Sequence, residues 1–132
     1  MKTHSYGMTV QTSLSMEDAE TAIRSALADQ GFGILTEIDV AETLKKKLDV
    51  VRTPYRILGA CNPVLANQAL EIEEGIGLLL PCNVAVYESG DSTVVAAMEP
   101  ELMSGVTDNP ALAEVASEAK RRLIAALSVL EN

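Results

Sequence analysis

Tyr55-Arg56-Ile57-Leu58-Gly59-Ala60-Cys61-Asn62-Pro63 is the stretch whose reading decides the fold. Tyr55, Ile57, Gly59 and Cys61 fall on one face of a β-strand, because side chains alternate with a period of two. Asn62 and Pro63 then start a helix. Asn accepts an orphan amide hydrogen bond as N-cap, and Pro tolerates the first helical position, where its missing N–H is not needed. The spacing predicts that this helix runs to about Ile72.

Upstream, Tyr6, Met8, Val10 and Thr12 alternate with Gly7, Thr9 and Gln11, which predicts a first strand. Ser15 caps a helix carrying Ala19, Ala22, Ile23, Ala26 and Leu27 at helical spacing, with Asp18 as the first-turn acid and Gly31 as the stop. Phe32, Ile34, Ile38 and Val40 then share one face of a second strand, and Glu37 and Asp39 the other. Val40, Leu44, Leu48 and Val51 form a narrow helical stripe that Pro54 ends. Downstream, a β-prone run over 76–88, a Ser89-Gly90-Asp91 turn and a strand over 92–98 predict an antiparallel hairpin. Asn109-Pro110 repeats the helix start, and Leu112, Val115, Ala116, Ala119, Leu123, Ala126, Leu127 and Leu130 give the last helix a broad apolar stripe. The expectation is a single α+β domain over 1–132, with residues 1–5 frayed. Its elements run βαβαβαββα, and helices pack on a mixed β-sheet of about five strands.

Composition narrows the function classes. Ten Lys and Arg against nineteen Asp and Glu leave a net charge of −9, and only 3% of the 132 residues are aromatic, with no Trp. Phosphate neutralisation and base stacking both lack their residues, so a nucleic-acid partner is excluded. A hydrophobic content of 48% argues against disorder. The polar start, without a signal-peptide core, and the interruption of the apolar run 76–82 by Gly77 and Pro81 predict a soluble, cytoplasmic protein without membrane contact. In that compartment Cys61 and Cys82 are expected as thiols.

The 55–63 stretch, followed by Ala69-Leu70 and by Gly77-Leu78-Leu79-Leu80-Pro81-Cys82-Asn83-Val84, resembles the signature of the bacterial and archaeal family known as domain of unknown function 302. The likeness extends through Gly31-Phe32-Gly33, Glu37-Ile38-Asp39 and Asn109-Pro110. It implies an α+β fold, often dimeric, and carries over no catalytic residue.

Two Cys-Asn pairs are the main candidates for chemistry. If strands starting at Tyr55 and Ile76 are parallel neighbours, Cys61 and Cys82 lie at one level on one face, within reach of a disulfide or a shared soft metal such as Cu(I) or Zn. Pro81 stands against that register, since it removes a ladder donor. Cys61 is the better nucleophile, because it precedes a helix N-terminus whose dipole favours thiolate. The competing reading is structural: Cys packs well in cores and Asn62 serves as a cap. Glu37 and Asp39 are a second candidate, as an acid/base or Mg²⁺ pair, against the alternative of a solvated strand face. His4, the only histidine, is expected in a frayed terminus and so not as a base or ligand. Gly31-Phe32-Gly33 and Gly75-Ile76-Gly77 are too short for phosphate loops, and Lys45–Lys47 and Lys120–Arg122 read as solvated helix faces.

The sequence thus predicts a homodimeric binding domain that takes a small molecule or soft metal near Cys61, Asn62, Cys82 and Asn83, with Glu37 and Asp39 as further ligand candidates and the cofactor unknown. The alternatives are a thiol-dependent redox or transfer enzyme using Cys61 and a purely structural interaction module.

Overall fold

The Tyr55–Cys61 segment is a strand, and its neighbours set the architecture of the chain, described over residues 1–131 in a computed structural model. In chain order the strands are β1 (Lys2–His4), β2 (Gly7–Thr12), β3 (Gly33–Asp39), β4 (Tyr55–Cys61), β5 (Cys82–Ser89) and β6 (Ser92–Met98). The helices are α1 (Met16–Asp29), α2 (Val40–Leu48), α3 (Pro63–Ile72), α4 (Leu102–Thr107) and α5 (Ala113–Ser128). The strands form one sheet in the order β1-β2-β6-β5-β4-β3, and every neighbouring pair is antiparallel.

The α+β class is as expected, but the sheet has six strands rather than about five and is antiparallel rather than mixed. Helices between strands led to the expectation of parallel crossovers. Here α2 carries no buried residue and turns the chain at the end of the sheet, so β3 and β4 return on each other as an elongated hairpin. The sixth strand is Lys2–His4, in the segment expected to fray; it pairs with β2 through Lys2 opposite Thr9 and His4 opposite Gly7. At the other predicted hairpin, residues 74–79 form a 3₁₀ turn, and the strand begins only at Cys82.

The caps behave as their chemistry requires. Ser15 accepts from the Asp18 amide at 3.1 Å, and Asn62 accepts from the Leu65 amide at 3.2 Å. Gly31 takes φ +84°, a left-handed conformation open to glycine at no steric cost.

Helices α1 and α5 cover one face of the sheet. Met8, Val10, Leu58, Ala60, Val84, Val86, Val95 and Ala97 point inward and pack with Ile23, Leu27, Leu123 and Leu127. A smaller cluster joins α3, the 3₁₀ turn, α4 and α5 around Ala69, Ile76, Met103, Leu112 and Ala116. The opposite face of the sheet has no helix laid across it, and its central positions Ile57, Ala85, Tyr87 and Ala96 are half-buried. Among the described residues no helix is long and apolar enough to cross a membrane.

A β-bulge between Ile34 and Thr36 decides which way β3 points. Ile34 pairs with Ala60, but Thr36 pairs with Gly59, so the extra Leu35 reverses the alternation. Glu37 and Asp39, expected opposite to Ile34, therefore lie on its face of the sheet. Gly59 sits where β3 and the 81–82 connection close in: a Cβ there would meet the Thr36 side chain and come within 2.8 Å of the Pro81 ring. Gly59→Ala is expected to destabilise the fold by ~1–3 kcal/mol through overpacking, with a Thr36→Ala partner recovering part of the loss. Urea unfolding of the single and double variants measures both; a neutral Gly59→Ala would refute the close approach.

Candidate functional site

The Cys-Asn pairs do not assemble as a parallel register required. In the β4–β5 ladder Ala60 is opposite Cys82, and Cys61 lies one residue further along β4. Antiparallel pairing with that offset puts the two cysteines on opposite faces of the sheet by alternation. Both border a cavity of about 20 Å³ lined almost wholly by apolar groups, among them Phe32, Leu65, Ala69 and Met103. That is room for about one water, not for a small-molecule ligand. Cys82 is buried, and burial first and neighbouring Cys61 second push its thiol up to about 11. At neutral pH Cys82 is a thiol and a poor nucleophile.

Asn62 is occupied structurally. It caps α3 and its Nδ2 donates to the Gln30 carbonyl at 3.4 Å, which also accepts from Arg122 at 3.0 Å. One carbonyl at the end of α1 is thereby tied to the start of α3 and the middle of α5.

Glu37 and Asp39 remain partly solvated, as the solvated-face alternative has it, and also meet cations. Glu37 pairs with Arg24 of α1, and Arg24 Nε also donates to Glu20 at 3.1 Å. Arg56 Nε lies 2.6 Å from Glu20 Oε1, a charge contact without hydrogen-bond alignment, and its terminal nitrogens are 3.8 Å from both Glu37 and Asp39. Asp39 also caps α2 through the Glu42 amide at 2.9 Å. Two guanidinium groups balance most of the charge of three carboxylates, which leaves little for an added Mg²⁺. Among the described residues no group of three or more His, Cys, Asp or Glu is arranged to hold a metal.

Asn83 stands apart from its five companions. It is exposed on the uncovered face of the sheet, at the rim of a groove of about 440 Å³. Strand register explains the groove. Thr9, Ala96, Ala85 and Ile57 form one row across four strands, with two alanines at its centre as a low floor. Tyr55, Tyr87 and Val94 make the row on one side, and Gly59, Asn83, Met98 and Gly7 the row on the other, continued by His4. At about 3.3 Å per residue, these bordering rows are roughly 13 Å apart.

The rim gathers every tyrosine of an aromatic-poor chain and its one histidine. Tyr55 and Tyr87 stack with ring centroids 4.8 Å apart and planes 8° from parallel, and the Arg52 guanidinium lies 5.2 Å from the Tyr55 centroid. His4 and Tyr6 are 4.1 Å apart and tilted by 56°. The Tyr87 phenol is raised above its ordinary pKa, chiefly by burial and then by the nearby Tyr55 and Tyr6. Sequence reasoning missed this site because His4 was set aside with the terminus. The usable signal was the placement of Tyr55, Tyr87, Ala85 and Ala96 at strand positions of matching parity.

An antiparallel six-stranded sheet with helices on one side, a grooved bare face on the other and a nearly filled thiol cavity define a two-layer α+β domain. The chain belongs to the family described as domain of unknown function DUF302, whose model matches residues 8–130. Among solved structures, it is similar to the uncharacterized conserved protein DUF302 from Bacillus stearothermophilus, at 31% identity and a TM-score of 0.91, covering 97% of this chain and 100% of that one. No curated protein matches the sequence.

In the native protein at pH 8, iodoacetamide is expected to label Cys61 while Cys82 remains unmodified until denaturant is added, as read by peptide mass spectrometry. Equal labelling of the two would contradict the burial of Cys82.

Proposed function

We propose that this protein is a non-catalytic binding domain whose ligand seat is the groove on the uncovered face of the sheet. The observation that carries this reading is the convergence on one ligand-sized depression of three tyrosines, the histidine and Asn83 over an alanine floor. A concave, largely apolar site with a few polar groups at its rim is the usual form of a small-molecule site, in the range of about 300–1,000 Å³. The seat predicted near Cys61, Asn62 and Cys82 moves, on this reading, to Asn83. Weighing against a thiol enzyme using Cys61 is the small size of the cavity that Cys61 borders, about 20 Å³.

A fragment screen followed by ¹H–¹⁵N NMR tests the proposal. Binding fragments are expected to shift the amides of Ala85, Tyr87 and Ala96 first. Hits confined to other surfaces, or no hits at millimolar fragment, would sink it.

Self-association is the second element of the reading, supported by a different observation. Sheet edge β1 is short and carries Lys2, whereas edge β3, helix α2 and the segment after it expose Leu35, Ile38, Leu48, Val50 and Val51, with Val51 81% exposed. The amphipathic helix α2 has no fully buried residue within its own chain. Native mass spectrometry is expected to find a dimer that Leu48→Glu with Val51→Glu converts to monomer. A wild-type protein monomeric at tens of micromolar would refute this element.

A further inference from the structure

We propose that the groove accepts an uncharged, flat aromatic ligand bearing a hydroxyl or carbonyl oxygen, of the phenol, naphthol or quinone type. This deepens the reading of the groove as a ligand seat and rests on it.

Charge supplies the first constraint. The chain holds ten basic and nineteen acidic residues, yet none of them is among the residues that line the groove. An ionic ligand would exchange water for an uncharged lining, with Arg52 and Lys2 only behind or beside it, which is costly even at a partly open site. An anion would in addition approach a chain of net charge −9.

Shape supplies the second. The floor is the pair Ala85 and Ala96, cross-strand neighbours whose methyl groups are the only side-chain atoms they raise above the sheet. Ile57 and Thr9 extend that row on either side. A flat ring system can lie against such a floor over its whole face, whereas a saturated, puckered ring touches it at fewer points and loses dispersion contacts. The stacked Tyr55–Tyr87 pair forms one wall, and the Arg52 guanidinium lies over the Tyr55 ring. It presents ring edges or faces to an aromatic guest at little entropic cost.

Polar groups supply the third. The chain's other asparagines with described side chains are engaged in the protein: Asn62 and Asn109 as helix caps with second partners, and Asn67 with Glu71. Asn83 makes no side-chain hydrogen bond among the described residues, and neither do His4, Tyr6, Tyr55 or Tyr87. A carboxamide on one side of the floor and phenols on the other can each donate or accept, so a ligand oxygen of either kind finds a partner at either wall. The carboxamide carries no charge, and burial holds the Tyr87 phenol further from ionisation, so both match a neutral polar edge.

The test uses three probes on one ten-carbon bicyclic frame: 2-naphthol, 2-naphthoate and 2-decalol. Isothermal titration with the wild-type protein at pH 7 is expected to give 1:1 binding of 2-naphthol, at least tenfold tighter than the anionic naphthoate and the saturated decalol. Ala96→Arg, which fills the floor, should weaken 2-naphthol at least tenfold, and Asn83→Leu and Tyr87→Leu at least threefold each. Should Ala96→Arg fail to fold, amide shifts in the wild-type protein replace it, with Ala85, Tyr87 and Ala96 expected to respond to 2-naphthol. Naphthoate or decalol binding in the groove as tightly as naphthol would overturn the ligand class while leaving the groove as a ligand seat. Naphthol shifts confined to other surfaces would overturn the class as well, and the fragment screen then shows whether the seat itself survives.

Discussion

One-sided burial is the constraint on which the remaining features depend. Two long helices, α1 and α5, are enough to cover one face of a six-stranded sheet, and the core they close contains Met8, Leu58, Val84, Val86 and Val95 at or near zero exposure. Alternation along each strand then assigns every second residue to the opposite face, where no helix lies. That face can be neither as apolar as a core nor as charged as an ordinary surface, and small and amphipathic residues occupy it. Alanine, threonine and tyrosine there are the counterpart of the valines and leucines on the inner side. The groove follows from this division, because small residues fall in register across β5 and β6 while large ones fall in register two residues away.

Much of this was legible before any coordinates. Ser15, Gly31, Asn62 and Asn109 act as caps and stops as their side-chain chemistry predicts, since capping is a local interaction between near neighbours in sequence. The features that escaped are set by distant partners. Whether β4 and β5 run parallel depends on where α3 and the 3₁₀ turn deliver the chain, and periodicity carries no such information. Leu35 reads as one more residue in a strand, although it is the bulge that places Glu37 and Asp39 beside Arg24 and Arg56. His4 gains its strand from pairing with Gly7.

The six candidate residues chosen from sequence divide by environment. Asn62 is a structural bridge, Cys61 and Cys82 border a cavity too small for a ligand, Glu37 and Asp39 belong to an ion-pair cluster, and Asn83 faces the groove. The motifs 55–63 and 77–84 that carry the family resemblance contain β4 and the start of β5, a pair that lies inside the sheet with neighbours on both edges. A resemblance concentrated there marks the strands that build the fold as strongly as it marks any site.

The bulge at Leu35 works as a change of reading frame for side-chain direction. Upstream of it, Ile34 points into the hydrocarbon packing; without the extra residue, Thr36 and Ile38 would follow it inward and Glu37 and Asp39 would emerge beside Ile57, at the edge of the neutral groove. One inserted residue therefore separates two electrostatic territories. It keeps the carboxylates of β3 with the guanidinium groups on the helical side and away from the groove's lining.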